Sequence, residues 1–123
     1  MKSKLVAIVI AAGTLLTEFT ASAADAQHGK DLYQSRCGSC HSLEYNGLGP
    51  AHKGVFGRKA GTAPGFAYSK ALKDSTVIWN EQALERWLSG PEAFIPGQKM
   101  GFSVQDAAER AEIIAYLAAA SKR

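Results

Sequence analysis

Cys37-Gly38-Ser39-Cys40-His41 sets two thiols three positions apart and follows the second with an imidazole. This is the C-x-x-C-H pattern of covalent haem attachment. On one helical turn, positions i and i+3 face the same side, so both thiols can reach the two vinyl groups of one porphyrin. His41 is then carried beneath the iron, where an imidazole nitrogen serves as the proximal ligand. Small Gly38 and Ser39 let the backbone lie close to the macrocycle.

Other uses of the motif fit less well. A thiol–disulfide oxidoreductase places C-x-x-C after a strand in an α/β pattern, which the chain lacks. A structural zinc site needs four ligands, and only His28 and His52 remain besides the motif, at spacings unlike a finger. A plain disulfide leaves His41 without a purpose.

Upstream, Lys2 and Lys4 precede a twelve-residue apolar run, Leu5 to Leu16, and Ala21-Ser22-Ala23 supplies a small-x-small cleavage pattern. The run falls short of the roughly 18 residues a membrane span needs. Residues 1–23 are therefore expected to be a cleaved export signal, with Ala24-Asp25-Ala26 as a second possible site. Residues 24–123 form one domain of 100 residues. Losing Lys2, Lys4 and Glu18 leaves 12 basic and 10 acidic side chains, a net charge of +2. That balance gives no footprint for nucleic acid, and the whole chain, 46% hydrophobic and 20% charged, is not that of a disordered tail. Met100 becomes the one methionine of the mature chain. A domain this small buries only about two-thirds of its unfolded surface, so a covalent staple helps it.

Downstream and upstream of the motif the chain reads as all-α. Gly29, Leu32, Tyr33, Arg36, Cys37 and Cys40 recur at helical spacing behind Asp25 as N-cap, predicting a helix that runs into the motif. Six glycines and two prolines between Gly47 and Gly65, interleaved with Val55 and Phe56, predict a packed loop rather than a linker. A short helix is expected over Ser69 to Lys73. Asn80 caps another, with Leu84, Trp87 and Leu88 on one face and Gly90-Pro91 closing it. Ile95-Pro96-Gly97-Gln98-Lys99-Met100 reads as a turn and an extended segment. Ser103-x-x-Asp106 looks like a capping box for a last helix to about Ala120, with Ile113, Tyr116 and Leu117 inward.

What fills the sixth iron position separates electron transfer from substrate or gas binding. Met100 leads: its thioether is soft and favours ferrous iron. His28 and His52 are rivals, and Lys99 competes only when deprotonated.

These residues resemble the class I cytochromes c of mitochondria and bacteria. The likeness runs from Gly29 to Ala120 and is carried by Gly49-Pro50, Gly54-Val55-Phe56-Gly57-Arg58-Lys59, Ala63-Pro64-Gly65-Phe66, Tyr68, Trp79, Ile95-Pro96-Gly97-x-Lys99-Met100, Glu109-Arg110 and Ile114-Ala115-Tyr116-Leu117. The resemblance implies a cytochrome c fold, with crossed terminal helices around one haem c held by Cys37 and Cys40. It implies His41 and Met100 as axial ligands and the Pro50 carbonyl on the far nitrogen of His41. Arg58, Tyr68 and Trp79 are implied to surround the haem propionates, and Gly29 and Tyr33 to pack against Tyr116. Three positions depart from the family: Trp87 stands for a common tyrosine, Leu72 for an asparagine and Gln98 for a threonine. The loop from His41 to Pro50 is also shorter than usual.

The implied activity is one-electron shuttling without substrate turnover, by a monomer exported to a bacterial periplasm. Membrane-bound or periplasmic redox proteins would be its partners: a quinol–cytochrome c oxidoreductase, a terminal oxidase, a photosynthetic reaction centre or a dehydrogenase. No acid falls between Glu44 and Asp74 while five basic residues do, and Arg36 and Lys99 flank the motif and Met100. Such asymmetry steers docking on an acidic partner. A haem enzyme or gas sensor with Met100 displaced is the contrasting reading, supported only by the changes at Leu72, Trp87 and Gln98.

Overall fold

A computed structural model describes residues 24–122, so the expected export signal lies outside the described residues. Among the described residues five helices follow one another: α1 Ala26–Arg36, α2 Lys70–Asp74, α3 Glu81–Ser89, α4 Pro91–Phe94 and α5 Ala107–Ala120. Among the described residues the β structure is one isolated bridge, Lys59 to Ile78.

The Asp25 side chain accepts from the amides of Gln27 (2.8 Å) and His28 (3.2 Å), which starts α1 where the sequence places it. The helix stops at Arg36, earlier than expected. The amides of Cys40 and His41 both turn onto the Cys37 carbonyl, at 3.1 and 2.9 Å. The motif thus winds as a turn after the helix rather than as its last turn.

α1 and α5 cross at Gly29. A Cβ there would lie 1.9 Å from the Glu112 carbonyl oxygen and 3.1 Å from Tyr116 Cβ, so only glycine lets the two backbones approach this closely. Beside the crossing, the Tyr33 and Tyr116 rings meet at 5.3 Å. Ile113, fully buried, and Leu117 carry the inner face of α5 as expected, against a core that includes Leu84, Leu88 and Trp79. Burying each such side chain contributes about 1.5–3 kcal/mol.

Ser69 caps α2 through the Leu72 amide, and Asn80 caps α3 through the Ala83 amide. Pro91 does more than close α3: it opens the single turn of α4, where its missing N–H costs nothing. The cap of α5 differs from the expected box. Asp106 itself accepts from Ala108 (2.8 Å) and Glu109 (3.0 Å), while the Ser103 hydroxyl takes the Gln105 side-chain amide. The reason lies one residue after Ser103. Val104 is buried and its amide bonds the Leu88 carbonyl at 2.8 Å, which keeps the chain extended until Asp106.

Candidate functional site

The helices and the long loop from residue 42 to 69 enclose one large cavity of about 930 Å³. All eight residues singled out from the sequence line it: Cys37, Cys40, His41, Pro50, Arg58, Tyr68, Trp79 and Met100. They come from four separate segments. The turn after α1 brings the thiols and His41, the loop brings Pro50, Arg58 and Tyr68, the strand-like residue before α3 brings Trp79, and the stretch between α4 and α5 brings Met100.

His41 is placed with most care. Its Nδ1 donates to the Pro50 carbonyl at 2.9 Å, and since a carbonyl only accepts, the proton sits on Nδ1 and Nε2 is left as a free lone pair. Burial holds this imidazole below its ordinary pKa, against the opposing pull of the Pro50 carbonyl, so the ring is neutral at neutral pH. Gly49 lets the loop press on the ring: a Cβ there would meet His41 Cε1 at 2.1 Å.

Cys37 is half-buried and Cys40 exposed, and the two are not joined to each other in a disulfide. Burial and the neighbouring Cys40 push the Cys37 thiol up to about 11.

Arg58 donates to the backbone carbonyls of Lys53 (3.0 Å) and Ala51 (3.2 Å), which curls the loop around it. Its Nε is buried without a partner among the described residues. Trp79 is fixed beside it, because the Trp79 amide bonds the Arg58 carbonyl at 2.9 Å and the Gly57 amide bonds the Trp79 carbonyl at 2.8 Å. Tyr68 accepts from the Ala63 amide at 3.0 Å. The Trp87 ring meets Trp79 edge-on at 5.3 Å, and Leu72 is buried at the same wall, so two of the three departures replace hydroxyl and amide groups with apolar surface.

The third departure, Gln98, takes a role that nothing in the sequence indicates. Its side-chain oxygen accepts from the Met100 amide, its nitrogen donates to Glu92 at 3.2 Å, and the other Glu92 oxygen accepts from Gly97 at 2.9 Å. The methionine segment is thereby braced from outside, by α4.

Both rival histidines are engaged by other side chains, although His52 also lines the cavity. His28 pairs with Glu112 at 2.6 Å across the α1–α5 crossing. His52 stacks on His41 itself, ring centroids 4.0 Å apart. Burial first, then the charges of His41 and Arg58, push its pKa down to about 3. Arg36, expected to guide a partner, is engaged by Glu109 at 2.8 Å. Lys53 pairs with Glu44 at 3.3 Å and Lys70 with Asp74.

These features fit a haem. The cavity is large and mostly apolar, two thiols stand at its wall, a neutral nitrogen is offered, and the Arg58 side chain lines it as a cation that suits a propionate. Zinc does not fit, since among the described residues no three His, Cys, Asp or Glu side chains cluster as a metal site. Nor, among the described residues, is any helix long and apolar enough to cross a membrane.

Comparison with known proteins agrees with this geometry. The family model described as Cytochrome c matches residues 26–121. A cytochrome c of Euglena viridis is 44% identical over 96 residues, covering 76% of this chain and 94% of that protein. One from Chlamydomonas reinhardtii is 44% identical over 101 residues, covering 79% and 90%. Among solved structures, cytochrome cH from Methylobacterium extorquens superposes with a TM-score of 0.74 at 43% identity, covering 77% of this chain and 98% of that one. The chain belongs to the cytochrome c family of electron carriers, whose members hold one covalently bound haem c.

Proposed function

We propose that this protein is a monomeric periplasmic carrier that passes single electrons between redox proteins, with His41 and Met100 as the two axial ligands. The observation that carries the reading is the anchored His41 ring, its Nδ1 committed to Pro50 and its Nε2 left free in a cavity that Met100 also lines. Bound there through Cys37 and Cys40, the haem iron supplies the one-electron chemistry, ferric to ferrous and back.

The protein's part is to hold both ligands in either state. Pro50 fixes the tautomer and plane-edge of His41, and the Gln98–Glu92 brace keeps the methionine segment in place. Arg58, Tyr68 and Trp79 supply guanidinium, phenol and indole groups for the buried propionates. With His41 and Met100 both holding the haem iron, no ligand position would be left open for a substrate. The periplasmic setting rests on the export signal read in residues 1–23 and on the likeness to a bacterial cytochrome.

Partner docking falls to a smaller basic set than the sequence implies. Arg36, Lys53 and Lys70 spend their charge on Glu109, Glu44 and Asp74, whereas Lys59, Lys73 and Lys99 form no ion pair among the described residues. Lys99 lines the cavity beside Met100 and marks the face that meets an acidic redox partner, whether a quinol-oxidising complex, a terminal oxidase, a reaction centre or a dehydrogenase. Stopped-flow oxidation by isolated partner membranes tests this. The second-order rate should fall steeply from low to high salt and fall again in Lys99→Gln. A rate indifferent to salt, or a reduced protein that binds carbon monoxide at once, would contradict the carrier reading.

A further inference from the structure

His52 has no task in the carrier reading, yet it is among the most tightly held side chains of the site. Its amide bonds the Ser42 carbonyl at 2.8 Å and the Lys53 amide bonds Leu43 at 3.0 Å, lacing this part of the loop to the residues that follow His41. Its Nδ1 shares a hydrogen bond of 3.0 Å with the hydroxyl of buried Tyr33. The two rings meet edge-on, centroids 5.7 Å apart at 63°, and Tyr33 leans in turn on Tyr116 of α5. The His52 face lies flat on His41, 4.0 Å between centroids at 20°. An aliphatic side chain would fill the same space with none of these directional contacts.

We propose that His52 is a positioning residue for the axial imidazole, its clamped ring setting the plane of His41. The proposal rests on His41 being the iron ligand. The Pro50 hydrogen bond grips the His41 ring at one nitrogen and the Gly49 backbone lies against it; a parallel ring at stacking distance further restricts its swing. The Tyr33 hydroxyl prevents His52 from turning with it. The stack also acts on the redox equilibrium. His41 carries more positive charge when it holds ferric iron than ferrous, and the face of an uncharged aromatic ring attracts positive charge, so the stack favours the oxidised state.

The test compares His52→Leu, His52→Phe and Tyr33→Phe as haem-loaded proteins, by redox titration against a reference couple and by low-temperature electron paramagnetic resonance of the ferric form. His52→Leu should shift the exchange equilibrium towards ferrous by about threefold to tenfold, tenfold being 59 mV for one electron, and should broaden the low-spin signal as the ligand plane loosens. His52→Phe, which keeps an aromatic face, should restore most of the potential. Tyr33→Phe should broaden the signal with a smaller shift. A leucine variant that loses stability but keeps the native potential and signal would overturn the proposal and leave His52 as core filling. Should the leucine variant fail to load haem, Tyr33→Phe decides, a broadened signal supporting the clamp and a native one refuting it. Failure of the ligand assignment would look different: His41→Ala would retain the native low-spin spectrum.

Discussion

An alanine at position 49 would carry its Cβ to 2.1 Å from His41 Cε1, 2.5 Å from Nδ1 and 2.6 Å from Nε2. Contacts of this kind do not fall below about 3.0 Å, so ring or backbone must yield by about 0.9 Å. The backbone is tied on both sides, Gly49 N to Cys40 and the Gly47 amide to the Gly49 carbonyl, each at 2.9 Å. The ring therefore moves, against a hydrogen bond of 2.9 Å and a stacked neighbour. Overpacking of this size costs about 1–3 kcal/mol, and the weakened hydrogen bond adds about 1 kcal/mol. Gly49→Ala should lose about 2–4 kcal/mol in guanidinium unfolding, and each kcal/mol lowers Tm by about 4–8 °C in a domain of this size. Its potential and ferric spectrum should also move, because the strain falls on the ligand. Gly54→Ala is the matched control. No atom lies within 4 Å of its Cβ, but φ is +71°, so it should lose only about 1–2 kcal/mol of backbone energy and leave the spectrum unchanged. Gly49→Ala within about 0.5 kcal/mol of the native protein, with an unmoved potential, would refute the picture of a loop pressed onto the ligand.

Gln98→Ala cuts both the Met100 amide bond and the link to Glu92; at about 1 kcal/mol it should lower, by nearly one pH unit, the alkaline midpoint at which the far-red iron–sulfur absorption is lost. Arg110, 12% exposed, bonds Glu85 at 2.7 Å and the carbonyls of Val104 and Gln105 at 2.8 and 2.9 Å, so Arg110→Met should destabilise by about 2–4 kcal/mol while the spectrum at neutral pH stays native. Acid should weaken the native fold through His52. With a folded pKa of about 3 against an ordinary 6.5, the unfolded chain binds the extra proton, so stability falls as pH drops below 6.5, by up to about 1.4 kcal/mol per pH unit until about pH 3. His52→Phe should flatten that limb in denaturation curves taken between pH 6.5 and 4.

Local chemistry made much of this protein legible in its sequence. Asp25 and Asn80 cap helices because a short polar side chain reaches the amides two or three residues on, and that reach needs no tertiary contact. The C-x-x-C-H motif named the cofactor for the same reason, since its spacing is the chemistry. What escaped depends on distant partners. Ser103 looked like a cap until Val104 docked on Leu88 and held the chain extended. Arg36 looked free until α5 brought Glu109, 73 residues away, against it. His52 reads as a rival ligand because imidazole binds iron wherever it is placed; its stacking on His41 depends on the course of the loop, which local sequence does not show. Gln98 read as a lost network partner, and the brace through Glu92 depends on the turn of α4, which a four-residue helix hides from periodicity.

The central claim is that His41 and Met100 together close both axial positions of a covalently held haem. The optical spectrum of the oxidised protein tests it directly. A weak far-red band from the iron–sulfur bond should be present in the native protein and absent in Met100→Ala, which should also bind carbon monoxide when reduced. A native protein without that band, binding carbon monoxide as readily as the variant, would contradict the account.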